Sequence, residues 1–216
     1  MPEDNRKRAA GGWIDISMPL KESTAHWPGD TPFAYDVSAT KEQTGSVNIG
    51  KITMSTHLGT HTDAPYHFLN DGERISDLDL DVYIGRCRVV DASRFSVFSR
   101  ETLSSLPVEG TERLLIKTSV PNNHAQFPEE IPYITKDGAD YLGESGIRLA
   151  GLDVPSVDPL DSKELEAHHQ LYKNGIYILE NLMLDNVPPG DYELIALPLA
   201  IAGGDGSPVR AVIRPV

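Results

Sequence analysis

Apolar and polar residues alternate through residues 49–56, with Ile52 and Met54 on one side and Lys51, Thr53 and Ser55 on the other. That period of two predicts a strand. Apolar, β-branched runs predict further strands at residues 13–18, closed by Pro19, and at residues 82–92, 113–118 and 147–152. Short helices are expected at residues 99–106 and 137–145, the second ended by Gly146. A third helix is expected from a capping pair, Asp161 and Glu164, to about Asn174, where Gly175 supplies a stop. Leu165, Leu171 and Tyr172 mark its apolar stripe, and His168 and His169 lie on or beside it. Residues 192–198 and 209–213 read as a hairpin around the loop Gly203-Gly204-Asp205-Gly206.

The connections carry turn chemistry. Trp27-Pro28-Gly29-Asp30-Thr31-Pro32 is a loop that presents a Trp, and residues 153–159 form another loop beyond a strand's C-terminal end. There is no internal repeat or low-complexity linker. The expected organisation is a leader at residues 1–12 and one domain at residues 13–216, a size that holds a full core.

Charge narrows the partners. The 19 basic and 32 acidic residues leave a net charge of −13, which repels a phosphate backbone, so nucleic acid is not an expected partner. No apolar run reaches the ~18 residues needed to span a bilayer. Arg6, Lys7 and Arg8 are followed by no apolar segment of the secretory type. Cys87 is the only cysteine, so no intrachain disulfide forms and a reducing cytoplasm is the expected home.

The densest chemistry is His57-Leu58-Gly59-Thr60-His61-Thr62-Asp63-Ala64-Pro65-Tyr66-His67. Imidazole nitrogen and carboxylate oxygen suit zinc and manganese. An unbroken strand would place His57 and His61 ~13 Å apart, too far to share an ion. A helix would bring those two together but send Asp63 to another face. A compact bend is therefore expected, with Gly59 permitting it and Pro65 ending regular structure before His67.

A second signal lies far downstream. Glu180 sits inside the nearly continuous apolar run 176–184, of buried-strand type. A carboxylate there costs several kcal/mol unless a cation or strong donors meet it. An ion pair with Arg148 or Arg210 is one solution; a metal shared with a nearby histidine is another. Trp27 is open between a core aromatic and a substrate contact. No Gly-x-Ser-x-Gly elbow occurs, which argues against a serine hydrolase, and the glycines near Gly204 complete no dinucleotide fingerprint.

Taken together, Trp27 to Asp30, His57 to His67, Asp153 to Asp158, His168 to Glu180, Leu197-Pro198-Leu199 and Ser207-Pro208-Val209-Arg210-Ala211 resemble the metal-dependent hydrolases of the cyclase family. The resemblance implies an α/β fold, a single domain whose central mixed, barrel-like β-sheet is flanked by helices. It implies an amide hydrolase with N-formylkynurenine as substrate and isatin or another cyclic or aryl amide as the alternative. A non-catalytic metal-binding protein is the rival from a different class. Two divalent cations per subunit are implied, zinc first and manganese second. His57, His61 and Asp63 resemble the ligands of one ion and His168 a ligand of the other, with Asp63 and Glu180 resembling the carboxylates that bridge the two. His67 resembles the proton donor and acceptor, and Trp27 the substrate contact. The family also implies a homodimer or higher homo-oligomer. Ions of this kind lower the pKa of bound water and polarise a carbonyl, while a histidine near pKa 6.5 can carry a proton to the departing nitrogen.

Overall fold

The computed structural model describes residues 12–216. The expected leader, apart from Gly12, lies outside the described residues. Thirteen strands occur in chain order among these residues: β1 (Ile14–Asp15), β2 (Ala34–Ala39), β3 (Ile49–Thr53), β4 (His61–Asp63), β5 (Ile84–Asp91), β6 (Val97–Phe98), β7 (Arg113–Lys117), β8 (Tyr133–Ile134), β9 (Leu149–Leu152), β10 (Tyr177–Glu180), β11 (Gly190–Ile195), β12 (Gly206–Pro208) and β13 (Val212–Pro215). The helices are α1 (Lys41–Thr44), α2 (Arg100–Ser104), α3 (Lys136–Glu144) and α4 (Glu166–Lys173).

Nine strands form one curled mixed sheet in the order β1-β13-β11-β5-β7-β9-β10-β4-β12. The middle strands β5, β7, β9 and β10 run parallel, and the flanking pairs are antiparallel. This is the α/β, mixed and barrel-like architecture that the sequence resemblance implied.

Alternation along the middle strands divides the core in two. Leu114, Ile116, Ala150, Leu152 and Ile178 point to one face, where Leu103 of α2, Leu142 of α3 and Leu171 of α4 cover them. Leu115, Leu149 and Leu179 point to the other, where they meet Val89, Leu194 and Ile213 inside the curl. Period-two pleating sends neighbours to opposite faces, and each such leucine contributes ~1.5–3 kcal/mol by burial.

Several expected elements are placed differently. The alternating segment at 49–56 is strand only as far as Thr53, and β3 pairs with β2 in a separate ribbon, outside the central sheet. Tyr35 and Ile52 on that ribbon are 55% and 61% exposed. Alternation announces a strand, but it does not say which sheet receives it. The segment at 82–92 opens with a 3-10 turn, Leu80–Tyr83, before β5 begins. The expected hairpin is also split: β11 and β13 are antiparallel neighbours with Leu194 opposite Ile213, but the chain between them crosses to form β12 at the far edge.

The third helix starts at Glu166, not at Asp161. Leu165 precedes it in the left-handed region at φ 47° with no local side-chain cap. The missing cap comes from upstream: Asp158 Oδ1 accepts from Ala167 N at 2.8 Å and Oδ2 from His168 N at 3.1 Å. A carboxylate at a helix N-terminus satisfies two otherwise orphaned donors and complements the helix dipole.

Candidate metal centre and cavity

Sheet register brings the central residues together. On β4, His61 and Asp63 are two apart and share a face, while Thr62 turns inward to hydrogen-bond Tyr83 and the carbonyl of Ile178. The antiparallel partner of His61 is Glu180, at the end of β10. Helix α4 packs over the same face and lowers His168 onto it. Asp63 Oδ1 and Glu180 Oε2 each lie 3.4 Å from His61 Nε2. His168 Nε2 lies 3.4 Å from Asp63 Oδ2 and 3.7 Å from Glu180 Oε1. All four residues are buried.

His57 arrives from the turn ahead of β4. Leu58 N–H bonds the carbonyl of Ser55, and Gly59 takes φ +72° where a Cβ would meet Leu20 at 2.7 Å. The expected bend is thus present over residues 55–60, but His61 and Asp63 lie on a strand. The His57 ring is set with Nδ1 2.8 Å from Asp63 Oδ1 and Nε2 3.1 Å from Asp205 Oδ2. Pro65 begins a short 3-10 turn, Pro65–His67, which swings His67 back beside His57 with ring centroids 3.9 Å apart. The one metal-candidate histidine left aside, His169, is exposed.

The arrangement fits a divalent metal on three observations. Asp63 Oδ2 is, among the described residues, a buried side-chain oxygen with no hydrogen-bond partner, at the midpoint of the cluster. Two ligands each ~2.0 Å from a tetrahedral ion stand about 3.3 Å apart, and three separations among His61, Asp63, His168 and Glu180 are each 3.4 Å. Finally, each histidine's other nitrogen is engaged: His61 Nδ1 by the Gly59 carbonyl at 2.9 Å, His168 Nδ1 by Asp158 at 2.6 Å, and His57 Nε2 by Asp205. Such outer partners fix ring orientation and tautomer for a ligand. The ion-pair alternative for Glu180 fails, because Arg148 pairs with Asp79 and Glu112, and Arg210 with Asp15.

The electrostatics demand positive charge. Burial pushes Glu180 up and the nearby Asp63 charge adds to it, whereas Asp63 itself is held down by three histidines despite its burial. Burial alone would lower the histidines, but their carboxylate partners lift His57 to about 9 and His61 and His168 to about 10. Two anions in a buried site hold cations, and a divalent ion answers the same field that raises these imidazoles. His67 behaves oppositely: burial, the largest influence, takes it down to about 4, so it is neutral at pH 7.

A cavity of about 770 Å³ opens over this cluster, at the C-terminal ends of β7, β9 and β10. That is where parallel strands leave loops and helix ends free to build a site. His57, His61, His67, His168 and Glu180 reach its floor. Trp27 is 37% exposed on its wall, not in the core, and meets Phe127 edge to face at 5.4 Å. The loops carrying the two aromatics are tied by Ala25 N–H to the His124 carbonyl at 2.8 Å. At the base of the second loop, both oxygens of buried Asp153 accept from Thr118 N at 3.0 Å.

Sequence reasoning assigned no role to Asp158, Asp205, Asp153 or Phe127. Asp158 and Asp205 sat in segments already marked as loops, and an acidic residue in a Gly- or Pro-rich loop is the signal that was available. Phe127 offered none.

Comparison with known proteins identifies the family and the fold. Residues 14–159 match the Cyclase family, described as Putative cyclase. The chain is 60% identical over 204 residues to a kynurenine formamidase of Bacillus cereus, covering 94% of this chain and 98% of that one. The solved structure of a predicted metal-dependent hydrolase from Bacillus stearothermophilus superposes with TM-score 0.79 at 26% identity, over 95% of this chain and 98% of its own. Isatin hydrolase A from Labrenzia aggregata shares the fold, with TM-score 0.77 at 22% identity over 93% and 92% of the two chains.

Proposed function

The chain belongs to the Cyclase family, and from that premise we propose that it is a metal-dependent arylformamidase that hydrolyses N-formylkynurenine to kynurenine and formate. The observation that carries the substrate is the likeness, along nearly its whole length, to kynurenine formamidases. The aromatic corner of Trp27 and Phe127 supports it, since edge-to-face partners suit an aryl ring.

His57, His61 and Asp63 would hold one divalent ion, and Asp63, His168 and Glu180 a second. Five donors exceed what one tetrahedral ion with an open position uses, which favours two ions, zinc before manganese. When bound, the ions supply Lewis acidity at the formyl carbonyl and acidify water. His67 is neutral and faces the cavity, so its imidazole takes a proton and returns it to the departing aryl nitrogen. Trp27 orients the ring so that the carbonyl lies over the floor of the cavity.

The competing substrate is isatin, whose cyclic amide presents the same carbonyl. Hydrolysis rates on N-formylkynurenine and isatin, compared with one metal-loaded preparation, test the choice. Faster turnover of the formamide is expected, and negligible turnover of it overturns the assignment. A non-catalytic metal-binding protein is tested by His67→Ala, which should keep its metal and lose hydrolysis.

Two wider readings accompany this one. A homodimer is supported by the β2–β3 ribbon, which exposes Tyr35, Val37, Ile49 and Ile52, because a lone two-stranded ribbon is marginal in water. A cytoplasmic setting is supported by the single, buried Cys87. No helix among the described residues is long and apolar enough to cross a membrane.

A further inference from the structure

Asp205 belongs to neither proposed ligand set, yet its carboxylate faces both His57 and His67. Its carboxylate is held on a braced loop: Ala64 N–H donates to the Asp205 carbonyl at 2.8 Å, and Ile75 N–H donates to the carbonyl of Gly204 at 2.9 Å. Thr56 Oγ1 donates to Oδ1 at 2.9 Å. That leaves Oδ2 facing His57 Nε2 at 3.1 Å and His67 Nδ1 at 3.9 Å. The next residue, Gly206, offers no side chain because a Cβ there would lie 2.6 Å from the His57 ring.

We propose that Asp205 is a positioning residue that orients His57 toward the metal and keeps His67 aligned beside it. By accepting the Nε2 proton of His57, Asp205 fixes the ring so that Nδ1, 2.8 Å from Asp63 Oδ1, is the nitrogen turned into the cluster, where a bound cation would take the place of the Nδ1 proton. The near-stacked pair of imidazoles, tilted by 33°, is thereby clamped from one side. The inference rests on the roles given above to His57 and His67.

Three variants test it: Asp205→Asn, Asp205→Ala and Thr56→Val. Zinc affinity is measured by competition with a chromogenic chelator. Then kcat and KM for N-formylkynurenine are measured with zinc in excess, alongside thermal melting. Asp205→Asn is expected to melt as the wild type does, to bind zinc ~10–100-fold more weakly, and to lose ~10-fold in kcat with KM nearly unchanged. Thr56→Val, which frees the carboxylate without removing it, should shift zinc affinity in the same direction by about threefold. If Asp205→Ala fails to fold, the other two variants decide. Zinc affinity and kcat within about twofold of wild type in both Asp205→Asn and Thr56→Val would overturn the proposal. Should the wild type leave N-formylkynurenine intact, the substrate reading falls, while the zinc competition still decides the role of Asp205.

Discussion

Replacing Asp158 by Ala should damage the fold and the metal centre together, because one carboxylate serves both. It accepts Ala167 N at 2.8 Å, His168 N at 3.1 Å and His168 Nδ1 at 2.6 Å. Truncation leaves two helix N-terminal N–H groups without a partner and frees the His168 ring. Losing a helix cap costs ~1 kcal/mol, and losing hydrogen bonds to a charged, buried acceptor costs ~1.5–3 kcal/mol each with incomplete additivity. The expected total is about 3–5 kcal/mol, which for a chain of this size lowers Tm by about 8–15 °C. Urea titration of the chelated protein at pH 7 isolates the folding part, and zinc competition reports the ligand part. Asp158→Asn keeps the shape but presents an amide to three donors, so it should fall between Ala and wild type in both assays. A chelated Asp158→Ala protein with wild-type stability would refute the claim that this carboxylate caps α4 across the loop.

Asp153 should make stability depend on pH. Burial raises its carboxyl to about 7, above its unfolded value. Because the folded state then holds the proton longer than the unfolded chain, this contribution is present at low pH and is lost as pH rises from about 4 to about 7. Asp153→Asn still accepts from Thr118 and has no charge to bury, so its unfolding free energy from urea titration should gain on wild type between pH 5 and pH 8, by up to ~2–4 kcal/mol. Parallel curves would contradict this. Gly206→Ala should push the His57 ring out of place and lower kcat/KM ~100-fold at saturating metal; an unaffected variant would mean that the ring tolerates displacement. Phe127→Ala should raise KM for N-formylkynurenine ~5–20-fold with little change in kcat, and an equal rise for a small aliphatic formamide would remove Phe127 from aryl recognition.

The parts legible in the sequence were those in which local pattern and chemistry coincide. The apolar runs at 113–118 and 147–152 became β7 and β9 because both faces of a middle strand are covered, so almost every position must be apolar. Glu180 stood out because its charge interrupts such a run, and the histidine motif because its ligand types are crowded into a short span. What stayed hidden depends on distant partners. The strand at 49–53 alternates like a core strand, yet it lies on an exposed ribbon, because alternation encodes pleat and not neighbours. The start of α4 was misplaced because its cap comes from Asp158, and only the folded chain brings that carboxylate to the helix. Asp205 is separated from His57 by most of the sequence and meets it only because β12 lies beside β4. Local signals name candidates, and sheet register decides which of them meet.

The central claim is that His57, His61, Asp63, His168 and Glu180 surround divalent cations beneath the aromatic cavity. Anomalous diffraction at the zinc edge from crystals of active, zinc-loaded protein tests it directly. The account predicts two peaks ~3.5–4 Å apart, one against His57 and His61, the other against His168, with Asp63 and Glu180 between them. Peaks elsewhere, or a zinc-loaded site in which Glu180 touches no ion, would contradict it.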